Sequence, residues 1–349
     1  MPPIARRADD TDRPAWDHFV ASRPEADILQ AWGWGESTAL ANESPKRILV
    51  EDGGRIRGIA QALMRPAGFG RQVAYVPHGP VWDRSAPDAD RVFAWLVQGL
   101  RTLARKEKAL VVKMDPRAEP GDPTDFAPLA AEHDLRRAPD LQAPTTRILD
   151  LLDGGEQLEA SWHANARRLS KRAAREGTQV TISRQPDEAE LSVLHSLLTD
   201  VAGQAGFRVR SLEFLTRLAT EVAPGGGWYL GIARVDGAPI ATVAFPRVGD
   251  RAYYMYGALL RDEQYRYNYG SQAVMAEMLR TLAADGCRSV DMWGVVEPDD
   301  PDADPAWKGF SDFKRTFGGT PLRHPGLYDL VTDPFWYRIR SIRERVLRR

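Results

Sequence analysis

The chain has 349 residues, 43% of them hydrophobic, and a net charge of −1, which excludes global disorder and leaves room for about two domains of roughly 150 residues each. No stretch approaches the roughly 18 consecutive apolar residues of a membrane span, and the opening residues MPPIARRADDTDRPAW lack the apolar core of a secretory signal. Cys287 is the single cysteine and the six histidines lack metal-ligand spacing, so a disulfide framework and a thiolate zinc site are excluded and a reducing cytosol is expected.

In chain order, the first clear element is I48-L-V-E-D-G-G-R-I-R-G-I-A-Q-A-L-M64. It reads as strand, Asp-Gly turn, strand. An aromatic-containing strand, V73-A-Y-V-P-H-G79, follows and ends at glycine. Then come a helix holding L100-R-T-L-A104 and a strand, A109-L-V-V-K-M-D115. The same order returns later. L230-G-I-A-R-V-D-G-A-P-I-A-T-V-A-F245 is a second hairpin, Y253-Y-M-Y-G257 a second aromatic strand, L279-R-T-L-A283 a second helix, and S289-V-D-M-W293 a second strand. The repeated helical words lie 179 residues apart. Such a duplication predicts two α/β domains. The first runs to about residue 147 and the second from 148 to 317. The last segment, 318–349, is expected to return to the first domain, because its strand needs a sheet.

Between the copies lies N165-A-R-R-L-S-K-R-A-A-R-E176. Trp162, Ala166, Leu169 and Ala173 make an apolar helical stripe. Arg167, Arg168, Lys171, Arg172 and Arg175 fall on the opposite face, and Gly177 is placed to end the helix. That basic face meets either solvent or a polyanion. A second basic block, R338-I-R-S-I-R-E-R-V-L-R-R349, sets six arginines against Glu344. Ahead of it, the proline-broken acidic loop E297-P-D-D-P-D-A-D304 leads into F310-S-D-F-K-R-T-F-G-G319. There Lys314 sits on a predicted turn between Phe313 and Phe317.

Taken together, Q30-A-W-G-W-G-E36, Y75-V-P-H-G-P-V81, K113-M-D115 before Pro116, the 167–180 helix-strand, Y254-M-Y-G-A258, the 279–295 helix-strand and F313-K-R-T-F-G-G319 give the chain a resemblance. It resembles the Fem-type (FemABX) aminoacyltransferases over nearly its whole length, in the compact form without a helical arm. The resemblance implies two tandem GNAT-like domains, 1–147 plus 318–349 and 148–317, each a mixed, mostly antiparallel sheet flanked by helices. It implies transfer of an amino acid from aminoacyl-tRNA to an amine of a peptidoglycan precursor, UDP-MurNAc-pentapeptide or lipid II. Aminoacyl-tRNA is then a co-substrate, and no cofactor or metal is needed. A monomer in the cytoplasm, with peripheral contact to the inner membrane face, is expected.

The resemblance also distributes roles. Lys314 is the cation beside the developing oxyanion and the RNA end, with Phe313 next to it. Asp115 is the base for the attacking amine or orients it electrostatically. Arg210 and Tyr256 hold the acceptor's phosphates. Two positions depart from the family pattern: Phe214 stands where a tyrosine is common, and Thr38 where a lysine is frequent. Arg168, Lys171, Arg172 and Arg175 are the expected tRNA contacts. Two alternatives stand beside this: a coenzyme A-dependent N-acyltransferase, although R266-Y-N-Y-G-S-Q272 lacks the usual pyrophosphate-loop spacing, and a non-catalytic module that binds tRNA or precursor, against which Lys314 counts.

Overall fold

The computed structural model describes residues 4–119, 126–152, 155–205, 208–222, 227–300 and 305–347. The chain divides into two compact units, 1–144 with 323–349, and 145–322.

The first unit contains strands β1 (Ile4–Arg7), β2 (Ser44–Asp52), β3 (Arg55–Gly68), β4 (Arg71–Val76), β5 (Val81–Trp82), β6 (Ala109–Met114) and β7 (Leu135–Arg137). Its helices are α1 (Arg13–Ser22), α2 (Trp32–Thr38), α3 (Ala89–Lys106) and α4 (Ala127–Glu132). The Gly53-Gly54 turn, at φ 55° and 77°, closes the β2–β3 hairpin in the register Asp52–Arg55. Val92, Phe93, Leu96, Val97, Leu100 and Leu103 recur at helical spacing on α3 and bury against Val50, Ala60, Ala62, Val112 and Met114 of the sheet. The α3 crossover makes β4 and β6 parallel neighbours.

The second unit contains β8 (Thr145–Asp150), β9 (Gln179–Ser183), β10 (Trp228–Val235), β11 (Ala238–Val248), β12 (Arg251–Tyr253), β13 (Tyr256–Leu259), β14 (Ser289–Asp291) and β15 (Thr320–Arg323). Its helices are α5 (Gly155–Ala160), α6 (Ala164–Arg175), α7 (Glu188–Ala205), α8 (Leu212–Glu221), α9 (Gly270–Ala284) and α10 (Lys308–Arg315). Here α9 is the crossover, and β12 and β14 are the parallel pair. The chain then supplies β16 (Tyr328–Val331) and α11 (Pro334–Leu347) to the first unit.

The sheet orders are β1-β2-β3-β4-β6-β16-β7 and β15-β8-β14-β12-β11-β10-β9. Both are mixed and mostly antiparallel. The returning strand β16 lies inside its sheet, antiparallel to β6 and β7 on either side. Two details differ from the sequence reading. The expected boundary at 147/148 would cut β8, which is continuous and pairs with β14, so the change of unit falls at 144/145. At the far end β15 stays with β8, which carries the second unit to Leu322 rather than 317. The expected strand 253–257 is also broken. Tyr254 N donates to Asp291 O and Met255 N to Ala244 O, so β12 follows β14 while β13 turns onto β11. Among the described residues no helix is long and apolar enough to cross a membrane.

Candidate active site

In the second unit the break between β12 and β13 opens a cavity of about 640 Å³. Thr242 of β11, Gly257 and Leu259 of β13, Tyr269 and Gly270 at the start of α9, and Phe310 and Phe313 of α10 line it. Tyr254, at the break, also lines the cavity and stacks on Phe245 with ring centroids 5.1 Å apart.

Lys314 lies in the last turn of α10, not on a separate turn as the sequence predicted. It sits one layer behind the cavity wall and is 7% exposed. Its Nζ donates to Gly294 O at 2.8 Å and lies 5.1 Å and 5.0 Å from the ring centroids of Tyr254 and Phe310. Burial pulls its pKa down to about 8, against the carboxylate of Asp291, which favours the charged form. Phe313 lines the cavity, whereas Phe317 is fully buried and packs on Trp162 and Phe313. Gly318 and Gly319 have φ of 87° and 82° and bring their backbone against the unit's own chain: a Cβ on Gly319 would lie 2.9 Å from Ile148 O. Arg147 then clasps both carbonyls, at 3.1 and 2.6 Å.

Arg210, Phe214 and Tyr256 come together as a group. Arg210 is exposed just before α8 and lies 4.8 Å over the Phe214 ring. Tyr256 has its hydroxyl pKa pushed up to about 12 by burial, with the charge of Arg210 opposing. Phe214 is 2% exposed and serves as the floor beneath the guanidinium. Thr38 stands where the resemblance would place a lysine. It is 1% exposed and donates to Gly35 O at 2.9 Å, so its hydroxyl is committed inside α2.

Helix α6 presents Arg168, Lys171 and Arg175 to solvent. Arg172 is half-buried, pairs with Glu176 at 2.8 Å and lies 5.3 Å over Tyr269. Arg167 leaves the basic face, because its guanidinium donates to the carbonyls of Glu159, Ala160 and Trp162. The inward stripe is Trp162, Ala166, Ser170 and Ala173, with Leu169 only half-buried. Gly177, at φ 83°, follows the C-cap and donates to Ala174 O, while Thr178 N reaches Ala173 O. In the acidic loop, Glu297 pairs with Arg147 at 2.8 Å, and residues 301–304 lie outside the described residues.

In the first unit Asp115 follows β6 directly. It is 5% exposed and accepts from Tyr75 Oη at 2.8 Å and from His78 N at 2.7 Å. Burial pushes its carboxyl up to about 6, against the opposing pull of His78 and Tyr75. Around it lies a buried ionic group that the sequence reading did not find. Asp27 is fully buried and bonded to the His78 ring, and Arg117 lies 3.5 Å from the same carboxylate. Burial disfavours both charges, but the pairing outweighs it: His78 is raised and Asp27 lowered. His324 accepts from Ala118 N at 3.2 Å and is held neutral by burial and by nearby Arg117. Only the Pro-His-Gly-Pro spelling hinted at this, since His78 adopts φ 48° between β4 and β5. Tyr75 also lines a separate cavity of about 470 Å³ with Arg65, Lys113, Arg137, Asp329 and Arg340. Among the described residues no group of three or more His, Cys, Asp or Glu could hold a metal ion.

A family profile described as an acetyltransferase (GNAT) domain matches residues 160–315. The chain is 20% identical to the lipid II:glycine glycyltransferase of Staphylococcus epidermidis over 95% of its own length and 94% of that protein's. It is 26% identical to the protein of that name from Staphylococcus aureus, over 63% of this chain and 53% of the relative. The crystal structure of FemX superposes with a TM-score of 0.83 at 18% identity, covering 96% of this chain and 99% of that one. The chain is thus similar to glycyltransferases acting on lipid II along its length, and it shares the fold of FemX. A tandem GNAT protein from the clavulanic acid biosynthesis pathway shares the fold more distantly, with a TM-score of 0.57 at 16% identity, over 95% of this chain and 99% of that one. In this chain, α5 and α6 are the helices found between β8 and β9 among the described residues.

Proposed function

We propose that this Fem-type enzyme moves an amino acid from aminoacyl-tRNA to a primary amine on the stem peptide of a peptidoglycan precursor, lipid II being the favoured form. The observation that carries the reading is the buried Lys314 ammonium beside an open cavity in the unit that matches the acetyltransferase profile. The names of the relatives supply the acceptor class.

The amine nitrogen attacks the ester carbonyl carbon, a C–N bond forms, and the bond to the tRNA ribose oxygen breaks. Negative charge gathers on the carbonyl oxygen, where Lys314 is the cation that lowers its energy, and the carbonyl re-forms as the ribose oxygen leaves as a hydroxyl with the proton given up by the amine. In this reading the rings of Tyr254 and Phe310 shift to admit the reacting ester. Asp115, with a carboxyl near 6, is a stronger base than an ordinary aspartate and either takes the amine proton or orients the amine. Arg210 and Tyr256 hold the acceptor's phosphates, and the exposed side of α6 holds tRNA phosphates. The chemistry needs no other cofactor, and the enzyme acts as a monomer.

The test crosses a panel of charged tRNAs with lipid II and with the UDP-linked precursor, with products read by mass spectrometry. One added aminoacyl mass on either acceptor is the expected result. Transfer from an acyl-coenzyme A, with none from any charged tRNA, would overturn the reading.

A further inference from the structure

Two separate parts of the first unit place aromatic side chains in solvent at one spot. The turn G68-F69-G70 between β3 and β4 is wound entirely at positive φ, 86°, 52° and 67°, and holds Phe69 81% exposed. That backbone is costly for a residue with a side chain, and the fold recovers little of the cost by burying the ring. Phe69 stacks on Trp336 of α11 with centroids 5.4 Å apart, and Phe335 meets Trp336 edge-on at 5.6 Å. Phe335 is 66% exposed, and Ile339, one turn further, is 41% exposed.

Helix α11 has two faces. Trp336 and Tyr337 pack on Val73, Leu110 and Val111, and Tyr337 Oη donates to Asp329 at 2.8 Å. Phe335 and Ile339 lie outside that packing. In the sequence, Ile342 and Val346 continue their spacing, and arginines at 338, 340, 343, 345, 348 and 349 outnumber the one acid, Glu344. Arg71 adds its guanidinium 5.7 Å from the Trp336 ring, and the nearby Asp333 is already paired with it at 3.2 Å. Among the described side chains, Phe69, Phe335 and Ile339 are exposed beside the exposed Arg338.

We propose that Phe69, Phe335 and Ile339, with Arg338 of α11, dock this protein on an anionic lipid surface. Aromatic rings on protruding turns insert at the depth of lipid headgroups, and the excess of arginine over acid in the 338–349 sequence suits an anionic leaflet. A second copy of the chain is a poorer occupant, because it would set arginine against arginine. The inference stands apart from the proposed transfer reaction, since it is measured without any substrate.

The experiment is co-sedimentation with sucrose-loaded vesicles of phosphatidylcholine alone or with added phosphatidylglycerol. The protein should bind the anionic vesicles and largely ignore the neutral ones. Phe69→Ser with Phe335→Ser should weaken that partition at least about tenfold, and Arg338→Glu by roughly fivefold. Phe335→Trp should retain binding. Both rings are exposed, so melting temperatures should stay unchanged. The proposal is overturned by equal partition of the double serine variant or by equal binding to neutral vesicles. It is equally overturned if the serine changes abolish self-association or tRNA binding and leave vesicle binding intact.

Discussion

The two units break the same strand and treat the break differently. In the first, Pro77 to Pro80 separates β4 from β5, and the amide of Gln30 fills the gap. Gln30 Nε2 donates to Pro77 O at 2.7 Å, and its Oε1 accepts from Gln61 N at 2.8 Å. Gly79 leaves the space for it, since a Cβ there would lie 2.7 Å from Gln30 Nε2. In the second, Tyr254 and Met255 separate β12 from β13, and the cavity beside Lys314 opens there. The Q30-A-W-G-W-G-E36 motif is thereby explained as closure. Gln61 returns bonds to the carbonyls of Leu29 and Ala31, and a Cβ on Gly35 would lie 2.4 Å from Gln61 Oε1. One duplicated fold has a plugged copy that surrounds Asp115 with buried charge and an open copy that keeps a ligand-sized space.

The largest expected effect tests the open copy. Lys314→Met should lower the transfer rate by about 10²–10³, the usual loss for one preorganised donor. Its melting temperature should not fall, because Met removes a buried charge and keeps most of the packing. Turnover near that of the parent enzyme would remove Lys314 from the chemistry.

The plugged copy should respond in stability. Gln30→Ala removes three buried hydrogen bonds, to Pro77 O, Gln61 O and Gln61 N, and leaves a void, at a cost of about 2–4 kcal/mol in urea unfolding. A loss below about 0.5 kcal/mol would mean that something other than Gln30 closes the first unit.

The same comparison explains what could be read from the sequence. The duplication was legible because Asp-Gly turns and helix-spaced apolar residues are local signals, and both hairpins and both crossover helices form where those signals lie. Lys314 was legible only through its motif, while its burial and the layer of rings before it come from three separated segments. The Asp27–His78 pair spans 51 positions, and Arg117 and His324 join it from still further away, so no spacing rule reveals it. Thr38, where the resemblance would place a lysine, has its hydroxyl turned back onto α2, a detail no local spacing reveals.

Titration sharpens the contrast between the two buried groups, which are shifted in opposite senses. Asp115 reaches about 6 and Lys314 about 8, so the rate should rise through pH 6 and fall above pH 8. Asp115→Asn should remove the acid limb, and Lys314→Met the alkaline one from the residual rate. Stability runs with the opposite signs. Folded Asp115 holds its proton longer than the unfolded carboxyl, near 3.9, so stability drains away as pH rises from about 4 to 6. Lys314 loses its proton earlier than an unfolded lysine near 10.4, so its share of stability recovers between about 8 and 10. A pH–rate profile with both limbs retained in both variants would separate these groups from the reaction.

The smallest effect concerns surface charge on α6. Each tRNA phosphate neutralised by Lys or Arg releases condensed counterions, and log affinity then falls with log salt by roughly 0.7–0.9 per contact. Arg168 and Lys171 are the freer groups, since Arg172 is engaged with Glu176 and Tyr269. Arg168→Glu with Lys171→Glu should therefore flatten the slope by about two contacts' worth, and adding Arg172→Glu should change it less. Arg167→Glu should act differently. Its guanidinium closes the carbonyl end of α5, so its loss should lower the melting temperature and leave the salt slope alone. Filter binding across a salt series measures all three. An unchanged slope in the Arg168/Lys171 variant would reduce the basic face to a solvated surface and move the RNA path elsewhere.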